Sequence, residues 1–261
     1  MHDIRYDELH DEFFVVNPFA EAILTFRGGT SGQESPIRII QGPHVKIGGN
    51  RLDVDPIHDE IFVPDARRIR VYPRGANGDV VPIRIIEGPD TQLTRAESLS
   101  VDPVNNILVV GFNKGERDPD NGALLIFNRT DNGDPKPKTK ISGPHTGIIK
   151  IRQVFVDEER GLIYATIKNN FEAYNYNDPR PSPWDPNKTG FIGVWNIDDD
   201  GDVPPRAVIK GPATGLVWPA GVAMSAKHQE IYAIDSVSNA LFMFKMPEFF
   251  VRAPAATAGG R

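Results

Sequence analysis

The side chains best suited to acid–base or metal chemistry are six histidines and several closely spaced carboxylates. His10, His58 and His228 each stand two residues before Glu12, Glu60 or Glu230, and His44 and His145 each follow a Gly-Pro pair. A histidine beside a carboxylate is a common general acid–base pairing. These pairs recur in one sequence setting, however, and a residue shared between repeats reads as part of a turn. His-x-His and His-Glu-x-x-His, the spacings that bring two imidazoles to one metal, do not occur. Asp198-Asp199-Asp200-Gly201-Asp202 and Asp118-Pro119-Asp120-Asn121-Gly122 resemble oxygen-rich calcium loops. The first aligns with Ala76-Asn77-Gly78-Asp79 and Asp131-Asn132-Gly133-Asp134, so it reads as a turn with extra charge. The second lacks the closing glutamate of an EF-hand. The chain has no cysteine, no Gly-x-Ser-x-Gly, no phosphate loop and no dinucleotide fingerprint. On this reading no residue is assigned to catalysis, no metal is expected and no cofactor is implied.

What remains is binding chemistry. Phe171, Tyr174, Tyr176 and Trp184 put four large rings into one polar stretch. Such rings are exposed apolar surface unless they pack back or bind something, and they suit sugar faces, peptide prolines or a partner surface. Asn50, Arg51, Glu97 and Arg152 form a second group, because each precedes a short apolar run in the same relative place.

The elements that must position these residues come from a repeat. Gly-Pro recurs at Gly42-Pro43, Gly88-Pro89, Gly143-Pro144 and Gly211-Pro212, each after a short β-type run such as Ile37–Ile40 or Ile83–Ile86. A second run ends at Asp7, Asp55, Asp102, Asp157 or, in the last unit, Ser225. A third covers Phe13–Val16, Ile61–Val63, Ile107–Val110, Leu162–Ala165 and Ile231–Ile234. A fourth covers Ala22–Phe26, Ile69–Tyr72, Leu124–Phe127, Phe191–Trp195 and Ala240–Phe244. Runs this short and this rich in Val, Ile, Phe and Tyr read as strands. Four strands per unit at a period of roughly 40–50 residues is the pattern of a β-propeller blade. The 24 glycines and 23 prolines are largely the punctuation of these blades, with Asn77-Gly78, Asn132-Gly133 and Asp200-Gly201 expected at tight hairpins between strands c and d.

The unit Gly-Pro … Val-Asp-Pro-x-x-x-Glu-Ile-Phe-Val … Ile-x-Val-Tyr … Asn-Gly-Asp … Pro-x-Arg-Ile-Ile resembles the NHL-type propeller repeat or a close bacterial relative. Trp218–Ala223 followed by Glu230–Asp235 carries the strongest likeness. The resemblance spans about residues 1–246 and implies a fold; such propellers host binding modules and enzymes alike.

The expectation is therefore an all-β chain forming one β-propeller over 1–252, with five four-stranded blades at about 1–41, 42–87, 88–142, 143–210 and 211–252. Phe249–Arg252 would supply the last strand d, and 253–261 would be a disordered tail. An incomplete or six-bladed ring is the alternative. The links between strands b and c are long in units 3 and 4, at 111–122 and 167–190, so the aromatic group falls on one of two neighbouring insertions. Strand a begins at His2-Asp3, Asn50-Arg51, Glu97-Ser98, Arg152-Gln153 and Ala220-Gly221, which places the polar group at the mouth of a central channel on that same face.

The expected function is binding of a protein, peptide or glycan on this face. A lactonase-like hydrolase or lyase at the channel mouth, and a self-associating structural protein, are the alternatives. A net charge of −6 without a basic run speaks against nucleic acid. No stretch approaches the ~20 apolar residues of a membrane helix. No signal peptide is visible, which fits a cytoplasmic chain or one written without its export segment.

Overall fold

The computed structural model describes residues 3–113, 122–168 and 189–250. It contains nineteen strands and only short 3-10 turns among those residues. The strands form five antiparallel meanders in chain order, four of them four-stranded and the last three-stranded. These are the blades of a five-bladed β-propeller. Strand a is Asp3–Asp7, Asp53–Asp55, Ala96–Asp102, Lys150–Asp157 and Pro219–Ser225 in blades 1 to 5. No helix among the described residues is long and apolar enough to cross a membrane.

Blade-on-blade packing supplies the cores. Phe14, Val16 and Ile23 of blade 1 pack on Leu52, Ile61 and Tyr72 of blade 2. Three further cores join blades 2 and 3, 3 and 4, and 4 and 5. One aromatic slot sits in strand c of every blade, fixed by register opposite strand b: Phe26, Tyr72, Phe127, Trp195 and Phe244. In blades 2 to 4 this ring is fully buried, because the preceding blade covers it.

Two devices lock neighbouring blades beyond apolar contact. At the inner strands, Asp3 Oδ2 accepts the Leu52 N–H (3.2 Å), Asp53 Oδ2 that of Val101 (2.9 Å), Ser98 Oγ that of Val154 (3.0 Å) and Gln153 Oε1 that of Val222 (2.8 Å). Every seam from blade 1 to blade 5 thus carries such a clamp. At the outer strands the segment between c and d reaches back to the preceding blade. Asn77 accepts the Ile39 N–H, Gly78 bonds backbone to backbone with Ile39 and Gln41, and Asp79 accepts the His44 N–H. Asn132-Gly133-Asp134 and Asp200-Gly201-Asp202 repeat the arrangement on blades 2 and 3.

These Asn-Gly-Asp and Asp-Gly-Asp segments are therefore straps between blades, which corrects the tight hairpins expected from the sequence. The glycine of each Gly-Pro shows why the strap fixes its partner. Gly42 has φ 154°, and a Cβ there would lie 2.4 Å from Asp79. Gly211, which has no strap against it among the described residues, would meet nothing within 4 Å.

The expected strand d of blade 5 is also corrected. Pro247–Phe250 is a 3-10 turn, and Phe249 and Phe250 are buried in the core between blades 4 and 5. Two acceptors hold the turn there: the Phe249 carbonyl takes the Tyr164 hydroxyl (3.4 Å) and the Phe250 carbonyl takes Arg160 Nε (3.1 Å). Apolar burial against blade 4 wins over pairing at the exposed edge of blade 5. Val251, Arg252 and 253–261 lie outside the described residues.

Candidate site at the channel mouth

The start of each strand a lies at the inner end of its blade, so the varied polar residues there converge. Arg5 donates to Asp53 (3.0 Å) and to Asp3 (3.2 Å), and Arg51 lies 3.6 Å from the same Asp3 carboxylate. Arg152 lies 3.9 Å from Glu97, which Arg95 also holds, at 2.5 Å. Burial pulls the Arg51 guanidinium below its ordinary value; Asp3 and Glu97 oppose that, while Arg152 and Arg5 reinforce it. Burial pushes the Asp3 carboxyl up, against the pull of Arg5 and Arg51. The mouth is thus a cluster of three central arginines and three carboxylates held close together, with a desolvated cation at its centre.

Beside it lies a cavity of about 560 Å³. Asp3, Ile4 and Arg5 of blade 1 form one side, Val222, Ile234 and Leu241 of blade 5 the other, and Arg51 and Gln153 the inner end. Its wall is mainly apolar and its inner end charged. No histidine lines it.

The structure brings Arg51, Glu97 and Arg152 to one mouth, as the shared slot suggested. Of these only Arg51 lines the cavity; Glu97 and Arg152 lie outside its lining, as does Asn50, which is exposed. Phe171, Tyr174, Tyr176 and Trp184 lie outside the described residues, as does Asp118–Gly122 except for Gly122. Ile4, Tyr232, Ile234 and Leu241 were not singled out by sequence, because an apolar residue in a strand carries no sign that its face is uncovered.

The other chemically suggestive residues have structural partners. His10 and His58 hydrogen-bond to Asp7 and Asp55 across the a–b turn, both at 2.8 Å. The same aspartates accept backbone N–H groups of that turn, as Asp102 and Asp157 do in blades 3 and 4. His44 and His145 bond to the strap carboxylates Asp79 and Asp202, both at 2.6 Å. Those strap carboxylates are held below their ordinary value. For Asp79 the His44 hydrogen bond is the leading cause; for Asp202 burial opposes the shift, and the His145 bonds outweigh it. Among the described residues no group of three or more His, Asp or Glu has the arrangement of a metal site.

No protein-family model matches the sequence, and no curated protein matches it. Among solved structures, Kuenenia stuttgartiensis hydrazine synthase is similar in fold, with a TM-score of 0.58 at 9% identity. The match covers 88% of this chain and 54% of that one, so this chain spans about half the length of its structural neighbour. At this identity the likeness concerns the fold alone, and it agrees with a β-propeller.

Proposed function

We propose that the chain is a non-enzymatic binding propeller built on NHL-like repeats, which takes a protein or peptide partner in the cleft between blades 5 and 1. Arg51, Glu97 and Arg152 would form its polar rim. The supporting observation is the cavity itself, with an aliphatic wall from Ile234 and Leu241 beside the buried Asp3 and the half-buried Arg5 and Arg51. An apolar centre edged by paired charges is the usual anatomy of a protein interface. Phe171, Tyr174, Tyr176 and Trp184 remain a proposed second contact, for a partner surface or a glycan, on residue type alone. No feature of the cavity specifically favours the hydrolase or lyase reading.

The test is quantitative affinity purification from the source cells with three versions of the chain. Leu241→Asp should reduce recovery of a specific partner. Val104→Asp, equally exposed on an a–b turn of blade 3, should leave it at the unmodified level. Equal recovery with both variants would count against the cleft as the binding site.

A further inference from the structure

The four cores join five blades in series, and among the described residues none joins blade 5 back to blade 1. Repeat equivalence shows what is missing. Ile4 and Tyr6 occupy the strand a slots of Leu99 and Val101 in blade 3, both buried under blade 2. In blade 1 they are 53% and 51% exposed. On the far side, Ile234 and Met243 occupy slots that correspond to Thr166 and Val194 of blade 4, which are 0% and 1% exposed. In blade 5 they are 56% and 55% exposed, and Leu241 is 67% exposed. Two sheet faces with the composition of a blade core thus confront each other across one cleft.

The sequence also omits both locking devices at this seam. The clamp slots of blade 5 are Gly221 and Ala223, where blades 1 to 4 carry Asp3, Asp53, Ser98, Ser100 and Gln153. The strap slot of blade 1 is Ser31-Gly32-Gln33, not Asn-Gly-Asp, and blade 5 has no strand d among the described residues to receive it. Blade 5 is therefore not equipped to hold blade 1 as its neighbour.

We infer that the open seam is completed by an antiparallel β-sheet from another polypeptide, apolar on both faces, which enters between blades 5 and 1 as an extra blade. The chemistry of the occupant follows from the four existing seams. Its two faces must both be aliphatic or aromatic, because both walls are. Its inner strand should carry an Asp, Ser or Gln to accept the N–H groups of Ile4 and Tyr6, the counterparts of those of Val154 and Val101. A second copy of this chain does not meet the first requirement. Its blades 2, 3 and 4 are covered on both faces, and its blades 1 and 5 are each free on one face only. The inference rests on the reading of the cleft as a binding site and specifies what fills it.

The experiment uses the full chain with blade 2 as the guest. Residues 50–88 have apolar side chains on both faces and the clamp acceptor Asp53, and are appended to the C terminus through a Gly/Ser linker. The chain has no cysteine, so Met243→Cys supplies a single thiol on the blade 5 face, and Leu241→Cys is an independent second site. The control guest carries Asp at the positions of Ile61 and Phe62, one on each face.

The intact guest should slow maleimide labelling at both positions at least ~10-fold relative to the control guest, the change that about 1.4 kcal/mol of docking gives. It should also raise the melting temperature. Equal labelling rates with the two guests would overturn the inference. So would a stable dimer of the chain without guest whose thiol is already protected, since a second copy would then be the occupant. Protection by the guest together with unchanged partner recovery for Leu241→Asp would leave the sheet-shaped cleft standing and remove the partner reading.

Discussion

The side-chain carbonyl of Gln153, on the inner strand of blade 4, accepts the backbone N–H of Val222 on the inner strand of blade 5 at 2.8 Å. The neighbouring residue is Gly221, where a Cβ would lie 2.9 Å from that same Gln153 oxygen. The clamp and the glycine are thus one device. Gln153→Ala leaves a buried donor without its acceptor and should cost about 1–3 kcal/mol. Gly221→Ala should destabilise the unmodified chain and cost less in the Gln153→Ala background. Denaturant melts of the double-mutant cycle measure the coupling; strictly additive effects would count against the clamp.

The aromatic slot gives a prediction that depends on neighbours. Phe127 and Trp195 are fully buried under a preceding blade, and Phe26 is only half-buried. Phe127→Ala or Trp195→Ala should cost about 3–5 kcal/mol, the usual loss for a core aromatic. Phe26→Ala should cost about 1–2 kcal/mol, because much of its surface remains exposed to water. Thermal or urea unfolding compares them directly. Equal losses at Phe26 and Phe127 would mean that blade 1 is covered as fully as blade 3.

Glu60 provides a pH signature. It receives Arg84 at 2.6 and 2.8 Å and Arg129 of the next blade at 2.7 Å. Burial alone would raise its pKa; the hydrogen bonds and charges of Arg84 and Arg129 outweigh burial and hold it below the ordinary 4.5. A depressed folded value means that its stabilisation is fully present above the unfolded value and is lost as pH falls through the folded one. Glu60→Gln should therefore cost about 2 kcal/mol at neutral pH. That difference from the unmodified chain should shrink to nothing under acid conditions below the folded value. Urea melts across this range follow it, and a gap independent of pH would count against the carboxylate's role.

The straps should be separable from the cores. Asp134 accepts the Thr91 N–H at 3.1 Å and fills the space beside Gly88. Asp134→Ala should loosen the seam between blades 2 and 3 by about 1 kcal/mol. Hydrogen exchange should quicken at Thr91 and stay slow at Val101, which the inner clamp holds through Asp53. Loss of protection at both sites together would show that strap and clamp open as one unit.

Much of this architecture was legible in the residues. Alternating short runs of Val, Ile, Phe and Tyr, separated by Gly-Pro and Asn-Gly, specify strands and turns because backbone and side-chain preferences are local. The shared slot before each strand a was enough to bring Arg51, Glu97 and Arg152 together. Of these and Asn50, only Arg51 lines the cavity; Asn50 lies before strand a of blade 2 begins, in an exposed bend where no strand register fixes its direction. A strap and a tight hairpin look alike in sequence, because positive φ at Gly78 satisfies either geometry. The strap's long-range hydrogen bonds to Ile39 and His44 leave no local trace in the sequence.

The sequence by itself determined the repeat, its five units, the aromatic slot and the aspartates that close the a–b turns of the first four. Only the tertiary structure decided which of those apolar faces are covered. Ile4 and Leu99 are the same kind of residue in the same slot, and a single strand cannot tell them apart. Burial belongs to the pair of surfaces, and blade 1 faces a cleft where blade 3 faces a neighbour. Phe249 and Phe250 show the same rule, for the core between blades 4 and 5 draws them away from an edge where pairing alone would have placed them.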